Sequence, residues 1–130
     1  MLASAGLPGP VENCVSIQQR LRQLTDETDL DFTAQLLGDF QELAPSSLAE
    51  LREALAGGDI FRAGRIAHSI KSNCATFGLA NLARRLLEVE LACRAGRMVQ
   101  AQAVGDLERD YRAAADELNE VMRNLIEGTV

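Results

Sequence analysis

The chain has 130 residues and is 47% apolar, enough for one domain with its own core and too apolar for a disordered tail. A formal charge of −6 argues against a general nucleic-acid binder, which needs a basic face to displace counterions from phosphates. No apolar run approaches a membrane span, and MLASAGLPGPVENC lacks a basic start followed by a long apolar stretch; the expectation is a cytoplasmic domain without direct membrane contact, free-standing or cut from a larger membrane protein.

The apolar residues are mainly Ala and Leu, Trp is absent and β-branched residues are few, which favours helix over sheet. Residues 1–14 contain LPGP and show no hydrophobic period, so they read as a leader or linker, with 15–130 as the domain. Ser16 is placed to cap a short helix, SIQQRLRQL, with Ile17, Leu21 and Leu24 on one side. The acidic turn TDETDLD follows with several candidate caps. A second helix is expected over 32–56, its apolar face built from Leu36, Phe40, Leu43, Leu48, Leu51 and Leu55. Pro45 lacks a backbone donor, which predicts a kink near Leu43 or a new first turn there. Gly57 and Gly58 end this helix, and Asp59 caps a third over 60–77 that Gly78 closes. A fourth, over 79–95, carries Leu79, Leu82, Leu86, Val89 and Cys93 on one stripe and stops at Gly96. In the last, over 100–126, Val104, Leu107, Tyr111, Ala114, Leu118, Val121 and Leu125 alternate three and four apart, the seam of a bundle helix. The fold read from this pattern is all-α: an antiparallel up-down four-helix bundle with a short additional N-terminal helix.

Cys14, Cys74 and Cys93 are odd in number and form no CxxC, so neither a zinc site nor a disulfide framework is indicated. Cys74 and Cys93 fall on antiparallel neighbours, near to and far from the connecting turn. A rise of ~1.5 Å per residue separates them by roughly 15 Å, too far to bridge, and both read as core thiols.

The single histidine lies in AHSIKSNCATFG, residues 67–78. With about 100° per residue, Ile66, Ile70 and Phe77 fall nearly opposite His68, and Ala63, Ala67 and Cys74 fall beside them. These six make the buried stripe, so His68 is expected on the solvent side. Gly64 and Arg65 lie one turn before it, Lys71 and Ser72 one turn after, and Ala75 two turns after. Gly64, Ser72 and Ala75 are small, which would let another surface approach the imidazole; mid-helix Gly64 weakens the helix by about 1 kcal/mol relative to alanine. Arg65 and Lys71 are candidates to hold phosphate oxygens by charge-assisted hydrogen bonds. Phe61, two turns earlier on the same face, reads either as a docking contact or as a cover for the bundle end.

Competing chemistries fit poorly. Positions three and four from His68 hold Gly64, Arg65, Lys71 and Ser72, none of them the ligand partner a metal-binding helix would need. Ser72 and His68 share a face, but no nucleophile elbow or oxyanion hole accompanies them. No P-loop or kinase glycine-rich loop occurs.

HSIKSNCATFG resembles the phosphorylation motif of histidine-containing phosphotransfer (HPt) domains: a histidine, two variable residues, a lysine, a small residue, then a glycine. Here those are His68, Lys71, Ser72 and Gly78. The family often has glycine where this chain has Ser72, also small. LLGDFQELAPSSLAELREAL and LANLARRLLEVE resemble the flanking helices, and residues 16–126 fit the family's length and helix order. The resemblance implies a phosphorelay carrier rather than an autonomous enzyme. His68 would take a phosphoryl group from an aspartyl phosphate on one receiver domain and pass it to another. Lys71 would steady the phosphoryl oxygens, Ser72 would keep the approach clear, and Gly78 would let the chain leave the helix with positive φ. No cofactor is expected on this chain; Mg²⁺ would come from the receiver. The implied partners are response-regulator receiver domains and, if the chain is a part of a larger protein rather than free-standing, the hybrid sensor kinase that contains it, with a monomer as the expected state. The main alternative is a helical adaptor of the same fold that docks a receiver, kinase or enzyme without carrying phosphate. A structural helical oligomer is the third reading; it would need a surplus apolar stripe on the last helix.

Overall fold

The computed structural model describes residues 9–128, with side chains from residue 17 onward. The described residues form five helices and no strand: α1 (Gly9–Glu27), α2 (Leu30–Ala56), α3 (Ile60–Thr76), α4 (Ala80–Arg94) and α5 (Gln102–Glu127). Links of three residues, 57–59 and 77–79, leave no room except for antiparallel neighbours, so α2, α3 and α4 run down, up and down. α3 packs most extensively on α4 and then on α2, while α5 closes the bundle against α2 and, more lightly, α4. The ion pairs Arg52–Glu108 and Arg85–Asp110 tie α5 to those two helices. No described helix is long and apolar enough to cross a membrane.

The expected stripes fill the core. On α5 the first six seam residues are buried and Leu125 is half-buried, and all five stripe residues of the fourth helix are buried. Leu43 departs from expectation: it is 55% exposed, while Leu37 and Ala44 are buried. It sits roughly 80° from the centre of the α2 stripe, which is enough to put it on the flank. Phe40 gathers Phe77 and Tyr111 around it, with ring centroids 5.1 and 5.9 Å away, and so joins α2, the end of α3 and α5.

Pro45 neither ends α2 nor starts a new one; the helix runs through it as a single element. The carbonyl that proline deprives of an N–H is that of Gln41, and the Tyr111 hydroxyl donates to this oxygen at 3.4 Å. The ring also lies on the exposed side of the helix, away from the core packing.

The N-terminal helix is longer than the short segment expected from Ser16. It is already helical at Gly9, so residues 9–14 of the expected leader belong to it and residues 1–8 lie outside the described residues. Pro10 is tolerated because the first helical turn needs no backbone donor. Ile17 and Leu21 are fully buried, and α1 lies chiefly on α5 with further contact to α2 and α4. The Thr25 hydroxyl donates to the buried Thr33 hydroxyl, and that one to the Asp29 carbonyl, both at 3.1 Å. Asp29, one of the candidate caps in the acidic turn, accepts from the Phe32 N–H at 2.7 Å. The side chain of Cys14 lies outside the described residues.

Gly78 has φ +78, and two capping bonds close α3: Gly78 N–H to Ala75 carbonyl at 3.1 Å and Leu79 N–H to Cys74 carbonyl at 3.0 Å. This turn sets the hand-over from α3 to α4 and therefore the register between them. Gly78→Ala is expected to lower unfolding free energy by about 1–2 kcal/mol, the cost of a Cβ in the left-handed region, measured by urea denaturation.

Candidate functional site

α3 begins at Asp59, whose carboxylate accepts the Arg62 N–H at 3.1 Å, and it contains no acidic residue. Its buried side is Ala63, Ala67, Ile70 and Cys74, with Ile66 half-buried. His68 therefore faces outward, its side chain 53% exposed. The wheel reading of this helix holds at His68 and at five of the six positions that placed it, Ile66 being only half-buried.

The side chain that organises the face comes from α4. Glu90 follows Val89 on the apolar stripe and is only 1% exposed. A buried carboxylate is costly unless paired, and this one has three partners. His68 Nδ1 lies 2.9 Å from Oε2, Lys71 Nζ 2.7 Å from Oε1, and an Arg94 guanidinium nitrogen 2.6 Å from Oε2. The Lys71 hydrogen bond holds the Glu90 carboxyl below its ordinary value of 4.5; burial opposes this, and His68 and Arg94 add to it. Glu90 is therefore ionised at neutral pH, and an ionised carboxylate can only accept. Nδ1 must be the nitrogen that carries the proton, which leaves the lone pair on Nε2.

The other candidates take distinct places. Lys71 is three-quarters covered and bound to Glu90 rather than reaching into solvent. Ser72 and Ala75 lie exposed on the outer face. Gly64 is turned toward α4: a Cβ there would come 3.2 Å from the Cβ of Cys93, so its bareness lets the two helices close up. Arg65 reaches back one turn, with its guanidinium 5.1 Å from the centroid of the Phe61 ring. Phe61 itself is 76% exposed and does not cover the bundle end. Cys74 and Cys93 are free and buried; burial pushes Cys74 up to about 12 and raises Cys93 as well, so neither is a thiolate nucleophile. Sequence reasoning missed Glu90 and Arg94. The available signal was a lone acid on an apolar stripe, with an arginine one turn later.

The stretch of chain that holds α3 and α4 also stands apart in charge. Residues 60–97 hold seven of the thirteen basic residues and two of the nineteen acidic ones, a net +5 against −11 for the rest of the chain. Lys71 and Arg94, both held on the carboxylate that meets the imidazole, can attract a doubly negative group such as a phosphoryl.

A family model described as Hpt domain matches residues 35–127. The chain belongs to the Hpt domain family. The matched span starts inside α2 and leaves α1 outside it, so the family bundle is α2–α5 and α1 is an addition. Hpt domains carry a phosphoryl group on histidine within phosphorelays, and their general partners are receiver domains. No curated protein and no solved structure matches the chain. His68 is the only histidine an Hpt domain of this sequence has to offer.

Proposed function

We propose that this Hpt domain is a relay intermediate: His68 accepts a phosphoryl group from the aspartyl phosphate of one receiver domain and yields it to the aspartate of another. The observation that carries this reading is the outward, half-exposed imidazole whose Nδ1 lies 2.9 Å from the buried Glu90 carboxylate, which leaves Nε2 as the nitrogen to attack. The Nε2 lone pair attacks phosphorus, an N–P bond forms, and the O–P bond to the aspartyl oxygen breaks, releasing a carboxylate. The ring keeps Nδ1–H and becomes cationic, and the Glu90 carboxylate balances that charge. Passing the group on reverses these steps against a second aspartate.

The transfer needs in-line placement and charge neutralisation more than covalent help. Lys71 sits one turn from His68 on the same helix, held on the carboxylate that also meets the imidazole. An arriving phosphoryl dianion competes with Glu90 for that ammonium. Ser72 keeps the C-terminal side of the approach low. Mg²⁺ belongs to the receiver in this scheme.

The test is transfer of labelled phosphate from a phosphorylated receiver domain. Label is expected on this chain as an acid-labile, base-stable phosphate, arriving more slowly on Lys71→Ala. A receiver that binds but never transfers label would leave the adaptor reading in place of this one.

A further inference from the structure

Four charged or chargeable side chains meet where α3 faces α4, and their charges do not balance while His68 is bare. The buried Glu90 carboxylate is one anion against two cations, Lys71 and Arg94, and the imidazole is neutral in its reactive form. The cluster then carries one formal positive charge. A phosphoryl group on Nε2 brings two negative charges and makes the ring a cation, which leaves the cluster neutral. The ring cation forms with its Nδ1 2.9 Å from a carboxylate that is 1% exposed, where water screens little. Arg94 is two-thirds exposed, so water weakens its share; the pairing of the ring cation with Glu90 is the interaction that burial protects. Glu90 stands on α4 and two of its three partners on α3, the two helices that pack most extensively on each other, so what tightens this cluster tightens the bundle.

We propose that phosphorylation of His68 locks α3 to α4 through Glu90, so that the phosphorylated chain is the more stable state and holds the phosphoryl group in store. This rests on the relay reading above and adds a regulation to it: the fold itself sets where the phosphoryl group rests. In an unfolded chain the same phosphohistidine stands in water without Glu90. By linkage, the stability that the fold gains from the phosphoryl group equals the preference of that group for the folded site over the free histidine. The bonds exchanged are those of the relay step, N–P for O–P; Glu90 moves only the balance point. That point is drawn from the receiver's aspartyl phosphate toward this chain, and removing the charge at position 90 lets the group run back.

The test labels the full chain with phosphoramidate, Nε2 attacking phosphorus as ammonia leaves, and follows urea unfolding at neutral pH by circular dichroism. The phosphorylated parent is expected to unfold at a midpoint about 0.5 M above the unlabelled parent. His68→Gln treated alike is expected to show no shift; a shift there would take the effect away from His68 and sink the proposal. Glu90→Gln keeps an oxygen to accept Nδ1–H and loses the charge, and it is expected to gain little on labelling. With a receiver domain that exchanges label, the equilibrium ratio of label on this chain to label on the receiver is expected to fall about tenfold in Glu90→Gln, the same free energy read as a partition. A parent midpoint that stays put or falls on labelling overturns the lock, with no variant needed, and receiver exchange would still uphold the relay reading. An equal gain and an equal partition in Glu90→Gln would overturn it too. If the parent gains stability, Glu90→Gln does not, and no receiver exchanges label, the lock stands and the relay reading falls.

Discussion

His68→Gln is expected to leave the chain with no acid-labile phosphate, a loss of at least ~10³-fold in labelling by any donor. No second imidazole exists to take over. The neighbouring hydroxyls on α3, Ser69 and Ser72, would give acid-stable esters and have no base to activate them. The Cys74 thiol is buried, and that burial keeps it protonated. The same substitution is expected to leave the fold in place, because the ring is more than half exposed and Glu90 keeps Lys71 and Arg94. Far-ultraviolet circular dichroism and the urea midpoint should therefore stay close to the parent while the label disappears. Label that survives in His68→Gln would move the acceptor elsewhere and end the assignment.

The helices were legible because their punctuation is local. Glycines at 58, 78 and 96 each take a positive φ just past a helix end, and Asp29 and Asp59 cap the helices that follow them. The solvent side of α3 followed from periodicity alone, since six apolar positions fix one angle well. Failures came where a residue's role depends on a neighbour distant in sequence. Pro45 was a helix breaker by its own chemistry, but the Tyr111 hydroxyl, far along the chain, partners the carbonyl it leaves open. Gly64 looked like clearance for a visitor, and it also serves the approach of Cys93. Glu90 lies only about 40° from Leu86 on the α4 wheel, at the edge of the stripe. A stripe read for its apolar members passes over the one acid among them, and nothing local says that the acid meets His68 from the next helix.

Glu90 is the residue whose loss tests the site most sharply after the histidine. It touches no phosphoryl group, so it acts as a positioning residue through the imidazole. Two jobs can be separated by substitution. Glu90→Gln keeps an oxygen to accept Nδ1–H and loses the charge that balances the cationic ring; transfer is expected to slow about tenfold. Glu90→Ala loses both, and about a hundredfold is expected. Nitrogen-15 shifts of the imidazole read the first job directly. In alkaline buffer the parent and Glu90→Gln should hold the proton on Nδ1, and Glu90→Ala should let it redistribute to Nε2. Acid stability reads the pairing. A carboxylate whose folded value is depressed contributes stability that is fully present above its ordinary value of 4.5 and is lost as pH falls through the lower folded value. The stability difference between parent and Glu90→Gln should thus hold steady from neutrality down to that ordinary value and shrink below it. A parent ring protonated on Nε2, or equal transfer rates in all three proteins, would remove Glu90 from the site and leave it a buried ion pair that merely joins α3 to α4.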